Sequence, residues 1–110
     1  MKVYGFTEKT YGVMEIENTL DAWQQFVGGG IQAVPIAENL MLICNEDGKL
    51  INLDRRCVWL QDGIVVDIIF GDCFVCRQEG EEGAAIKDSD VGTIEKILKP
   101  IVIKPKNKRA

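Results

Sequence analysis

The sequence predicts an α+β domain, a mostly antiparallel β-sheet with two short helices at about residues 18–28 and 88–99. Two observations carry this. Many short runs alternate apolar with polar residues or are apolar throughout, and only two windows show the three-and-four spacing of a helix. At 110 residues and 46% hydrophobic, the chain suffices for one domain with a real core.

The elements follow in order. "KVYGFT" and "GVMEIEN", joined by "EKT", open the chain as a hairpin, with Val13, Glu15 and Glu17 alternating against Met14 and Ile16. In "NTLDAWQQFVGGG", Leu20, Trp23, Phe26 and Val27 share one helical face. Asn18 or Thr19 can cap that helix, Asp21 suits its first turn, and the glycines end it. "IQAVPIA" and "NLMLICN" make a second hairpin, bending near Ala37-Glu38-Asn39. Pro35 has no N–H to give a ladder and marks an edge or a bulge. A turn at Glu46-Asp47-Gly48 comes next, with Gly48 at positive φ, and "KLINL" continues as a short strand that ends at Arg55 and Arg56. "IVVDIIF" reads as a buried strand and "DCFVCRQ" as another, parted at Gly71. The acidic "EGEEG" reads as a solvated loop. "DSDVGTIEKILK" is the second helix, capped by Asp88 or Ser89, with Val91, Ile94, Ile97 and Leu98 on one face and Pro100 as its stop. Gly92 weakens it by about 1 kcal/mol relative to Ala.

Charge divides the chain into a domain at 1–98 and a basic, partly disordered tail at 99–110. The tail holds five of the 13 basic residues and no acid, so residues 1–98 carry 8 basic against 17 acidic groups, a net of −9. Such a body speaks against a nucleic-acid face, which is driven by phosphate neutralisation. No apolar run approaches the roughly 18 residues a membrane span needs. The first residues lack the apolar core of a secretory leader, so the expected setting is the cytoplasm. Histidine is absent, which removes the commonest proton-transfer group and the usual partner of a nucleophilic Ser or Cys.

Three motifs invite chemistry and are better explained by structure. Phosphate-binding glycines precede a helix, whereas "VGGG" follows one, where a left-handed C-cap is the natural role. Cys73 and Cys76 have zinc-knuckle spacing, but on a strand positions three apart face opposite sides. With Cys44 and Cys57 they read as small apolar groups of the core, and no metal or cofactor is expected. Around Gly48 a calcium loop would need Ile43 as its first ligand, which excludes the match. Asp62, Asp67 and Asp72 punctuate an apolar stretch, and no pair among them is singled out for catalysis.

"NEDGKLINLDRR", residues 45–56, is different. Turn chemistry covers Glu46 to Gly48 and leaves a cluster of donors: Asn45, Lys49, Asn52, Arg55 and Arg56. Guanidinium forks suit phosphate and planar anions, and Trp59 or Trp23 can stack on a base. The competing reading pairs the arginines with local acids such as Asp54, Asp62 and Asp67.

Thr19, Leu20, Gln25, Val27, Gly28, Gly29, Val34, Pro35, Asn45, Glu46, Gly48, Lys49, Gly71 and Asp72 form a set that resembles a bacterial and phage domain-of-unknown-function family. The resemblance spans roughly residues 15–98 and rests on a helix ending in Val-Gly-Gly, a Val-Pro strand and an Asn-Glu-x-Gly-Lys turn. The sequence departs at an Asn-Arg pair, reading Asp54-Arg55-Arg56. The resemblance implies a small accessory or counter-defence protein of phages, plasmids and conjugative elements.

The functional expectation is a non-catalytic binder that sequesters a small anionic, nucleotide-derived messenger. Asn45, Lys49, Asn52, Arg55, Arg56 and Trp59 are its expected site. The alternative is a protein-interaction module that inhibits a host defence or restriction enzyme through an edge strand or apolar patch. A messenger-cleaving hydrolase comes third. A homo-oligomer is compatible with each.

Overall fold

Two antiparallel sheets and two helices make three layers in the computed structural model, which describes residues 1–101. The elements are β1 (Lys2–Phe6), β2 (Tyr11–Glu15), α1 (Leu20–Val27), β3 (Ile31–Ala37), β4 (Leu40–Asn45), β5 (Arg55–Gln61), β6 (Ile64–Phe70), β7 (Cys73–Glu79), β8 (Glu82–Ala84), α2 (Asp88–Ile97) and β9 (Leu98–Pro100). The larger sheet runs β2-β1-β7-β4-β3, with β8 added to β7; the smaller runs β6-β5-β9. The α+β class, the mostly antiparallel pairing and the two short helices are as the sequence predicts.

The central strands of the larger sheet, β4 and β7, are buried on both faces, which explains their uninterrupted apolar runs. On one face Val3, Ile43, Phe74 and Cys76 pack with Trp23, Phe26 and Val27 of α1. On the other, Phe6, Leu42, Cys73 and Val75 pack with Cys57 and Ile69 of the smaller sheet and Ile94 of α2. Cys73 and Cys76 therefore serve opposite cores, as positions three apart on a strand must. All four cysteines are buried free thiols.

Local chemistry sets the boundaries. Thr19 Oγ1 accepts from the Ala22 amide at 3.1 Å and caps α1, and Gly28 at φ 79° closes it in the left-handed conformation. The β3–β4 register shifts between Pro35 and Ala37, and β3 is an edge strand, so Pro35 costs no ladder bond that the sheet needs.

Several expectations change. "KLINL" is no strand: residues 46–52 coil through successive turns, with Ile51 N bonded to Asp47 O at 3.0 Å and Leu53 N to Gly48 O at 2.9 Å. Arg55 and Arg56 thus begin a strand, β5, instead of ending one. Asp62 and Gly63, both at positive φ (51° and 77°), turn β5 back into β6. "IVVDIIF" is only half buried, because the tip of this hairpin leaves Ile64, Val65 and Val66 exposed. Part of "EGEEG" pairs with β7 as β8.

At the C-terminal end, α2 stops at Ile97, and Leu98 to Pro100 pair with β5 instead of extending the helix or joining a tail. Neither Asp88 nor Ser89 caps α2. The capping residue is Lys87, whose amide donates to Asp90 Oδ2 at 2.8 Å. Residues 102–110, most of the basic tail, lie outside the described residues.

Candidate functional site

The six expected site residues separate into three places. Asn45 is buried and fully engaged: its Nδ2 donates to the Val27 carbonyl at 3.1 Å, and its Oδ1 accepts from the Asp47 amide at 2.8 Å. It ties the end of α1 to the turn after β4. Lys49 and Trp59 line the same cleft as Asn45, a cavity of about 260 Å³ between the two sheets. Asn52 adopts φ 58° in the turn, and Arg55 is exposed; neither lines this cleft or the two cavities beside Arg56.

The inter-sheet cleft is poorly made for an anion. Glu46, Asp47 and Asp67 line it against the single cation Lys49, whose Nζ is taken by Asp67 Oδ1 at 2.6 Å. Burial pushes the Asp67 carboxyl up, but the Lys49 ammonium and the Ile68 amide outweigh this and hold it below the usual carboxylate range. The carboxylate therefore stays charged and repels a phosphate. The Trp59 Nε1 is buried here without a partner among the described residues.

Arg56 stands apart, and its position comes from a bulge. Arg55 pairs with Phe70 and Cys57 with Ile69, so Arg56 is the extra residue on β5. A bulge re-aims a side chain. Its backbone carbonyl accepts from Ile101 N at 2.9 Å, while Gly71, at φ 86°, donates its amide to Asp54 O at 2.7 Å. That turn brings Asp72 alongside, and Arg56 Nε donates to Asp72 Oδ1 at 3.0 Å.

The Arg56 side chain is only 12% exposed, and its terminal guanidinium nitrogens bond to no acceptor among the described residues. Two cavities flank it, both lined also by Asp54. One, of about 460 Å³, is walled by the β1–β2 hairpin (Phe6 to Tyr11) and by Pro100 and Ile101. The other, of about 310 Å³, lies at the end of α1, against Gln25, Phe26 and Gly28. Lys9 and the exposed Tyr11 line the larger one, and the Tyr11 ring stacks on Phe6 with centroids 6.3 Å apart and planes 17° from parallel.

A cation whose Nε is fixed by a carboxylate and whose remaining donors meet no acceptor among the described residues has the geometry of a preorganised anion contact. An aromatic face and a second cation stand in the same cavity beside the acids Glu8 and Asp54, an arrangement that suits a molecule with a flat ring and few negative charges. Of the expected residues, only Arg56 joins this arrangement. The sequence does not single out Lys9 and Tyr11, because about 45 positions separate Arg56 from the hairpin and only sheet topology brings them together, and it offers Asp54 only as a partner for the arginines. Among the described residues no group of three or more His, Cys, Asp or Glu is placed to hold a metal ion.

No curated protein and no solved structure matches the chain. The family described as Domain of unknown function (DUF3846) matches residues 1–99, nearly all of the described chain, and the protein belongs to that family.

Proposed function

We propose that the protein is a non-catalytic binder of a small anionic, nucleotide-like molecule, with Arg56 as the anion contact. The observation that carries this reading is the Arg56 guanidinium, fixed through Nε by Asp72 and bordered by two cavities. Tyr11 supplies a face for a ring, Lys9 a second cation, and Asp54 an acceptor for ribose hydroxyls or a base amine. No catalytic pair is assigned in the cavity: the Thr7 hydroxyl is occupied within the hairpin, donating to Thr10 O at 3.1 Å and accepting from the Thr10 amide. The setting in phages and conjugative elements, which the family resemblance implies, makes a signalling nucleotide of the host the candidate class and sequestration the role.

Calorimetry against cyclic nucleotides, ADP-ribose and inorganic phosphate tests this. A hydrogen-bonded charge is worth about 1.5–3 kcal/mol, so Arg56→Ala is expected to weaken binding roughly 10- to 100-fold. Arg55→Ala, at an exposed position outside the cavities, leaves it unchanged. Absence of binding across the panel, or an Arg56→Ala variant that binds as the wild type does, rejects the reading.

A further inference from the structure

The two cavities beside Arg56 share both Arg56 and Asp54 but differ in character, and from this we infer the ligand class: a dinucleotide joined by phosphodiester, its bridging phosphate on Arg56 and one nucleoside in each cavity. The inference rests on the proposed binding function and narrows it. The larger cavity, at about 460 Å³, offers the Tyr11–Phe6 stack to a base. The smaller, at about 310 Å³, lies at the C-terminal end of α1. That end carries the negative pole of the helix and has Asp72 beside it, so a second phosphate is unwelcome there. A neutral group rich in N–H and O–H donors, such as a base with its ribose, fits.

Charge count sets the type of phosphate. Around the two cavities stand Arg56 and Lys9 against Glu8, Asp54 and Asp72, and Asp72 is already committed to Arg56. With two cations against three acids the site has a net charge of −1, so it tolerates a diester, which bears one negative charge, better than the more highly charged terminal phosphate of a mononucleotide or triphosphate. The same chemistry occurs in a free dinucleotide and in a step of single-stranded nucleic acid. Among residues 1–101 there are 17 acidic against 9 basic side chains, so phosphates extending beyond the site meet a repulsive surface. The free dinucleotide is therefore the expected ligand.

Calorimetry on the full chain separates the outcomes with four probes: adenylyl-(3′→5′)-adenosine, cyclic di-AMP, AMP and a decamer of oligoadenylate. The linear dinucleotide, with one bridging phosphate, is expected to bind at least about 10-fold more tightly than AMP, the gain of a second engaged nucleoside, and cyclic di-AMP, with two, more weakly than the linear form. The decamer is expected to bind no more tightly than the linear dinucleotide. Tyr11→Ala, at an exposed position, should weaken dinucleotide and AMP alike. Gln25→Ala, on the helix side, should weaken only the dinucleotide, by several-fold. AMP binding as tightly as the linear dinucleotide overturns the inference and leaves the anion-binding function standing. A decamer that binds more tightly overturns the free-dinucleotide source, and no binding by any probe removes the function and the inference together.

Discussion

Arg77 Nη1 donates to both carboxylate oxygens of Asp90, at 2.7 and 2.9 Å, and so ties the far end of β7 to the first turn of α2. The pair lies under the domain surface, with side chains only 16% and 11% exposed. Asp90 also accepts from the Lys87 amide, so one carboxylate both caps α2 and anchors it to the sheet.

Removing that carboxylate leaves a nearly buried guanidinium unpaired and a helix end uncapped. Asp90→Ala is expected to cost about 3 kcal/mol, the lower range for breaking a buried ion pair. Burial raises the Asp90 carboxyl, but the Lys87 amide and the Arg77 guanidinium prevail, and its pKa lies below the ordinary value. A depressed folded pKa means that its stabilisation is complete above the unfolded carboxyl range near pH 4 and fades as pH falls through the folded value. Urea unfolding of wild type and Asp90→Asn between about pH 2 and pH 6 checks this. The wild type should lose more stability on acidification; parallel curves would show that Asp90 is not the group responsible.

Arg56 and Asp72 have a different balance, because the Asp72 side chain is 35% exposed and water screens the pair. Asp72→Asn should therefore cost only about 1 kcal/mol of stability while freeing the guanidinium to reorient. If the Arg56 site binds anions through fixed geometry, ligand affinity falls several-fold with the fold intact. A variant that binds normally would show that Asp72 does not position Arg56.

The thiols should be inert in the folded protein. Burial pushes Cys44 and Cys76 up to about 11, and the Cys57 thiol at 3.7 Å, together with burial, raises Cys73 as well. Thiolate is the reactive form, so an aromatic disulfide reagent near pH 8 should modify all four only as fast as the protein unfolds. Fast modification of any one thiol in native buffer would contradict this, and peptide mapping would identify it.

The chain displays its fold more openly than its site, for a physical reason. Periodicity reports burial, and the two-sided burial of β4 and β7 is written in "LMLICN" and "CFVC". The β5–β6 hairpin was harder to see. Its tip carries apolar Ile64, Val65 and Val66 into solvent, so hydrophobicity there does not track burial. The candidate site is legible only at Arg56. Clustering in sequence drew attention to Asn45, Lys49 and Asn52 as well, but a tight turn scatters neighbours: one fills the core, one pairs with Asp67, one takes positive φ. The cue to Arg56 is a one-residue bulge, which depends on register with β6 and leaves no mark in composition.

Gly48 shows a residue read correctly for a mistaken reason, and it yields the last prediction. The turn sequence implied positive φ at Gly48, but the left-handed residue of this turn is Asn52, at φ 58°. What Gly48 requires is space. A Cβ there would stand 2.7 Å from the Phe70 carbonyl oxygen and 3.3 Å from its Cβ, and the oxygen belongs to backbone that β6 holds in place. Gly48→Ala is thus a steric substitution at a backbone conformation that alanine itself accepts, and it should destabilise by about 1–3 kcal/mol through displacement of the turn from β6. Asn52→Gly, which answers the conformational need instead, should leave stability within about 1 kcal/mol of wild type. Urea midpoints of the two variants decide the matter. If Gly48→Ala matches wild type, the turn does not rest on Phe70 as closely as its geometry states.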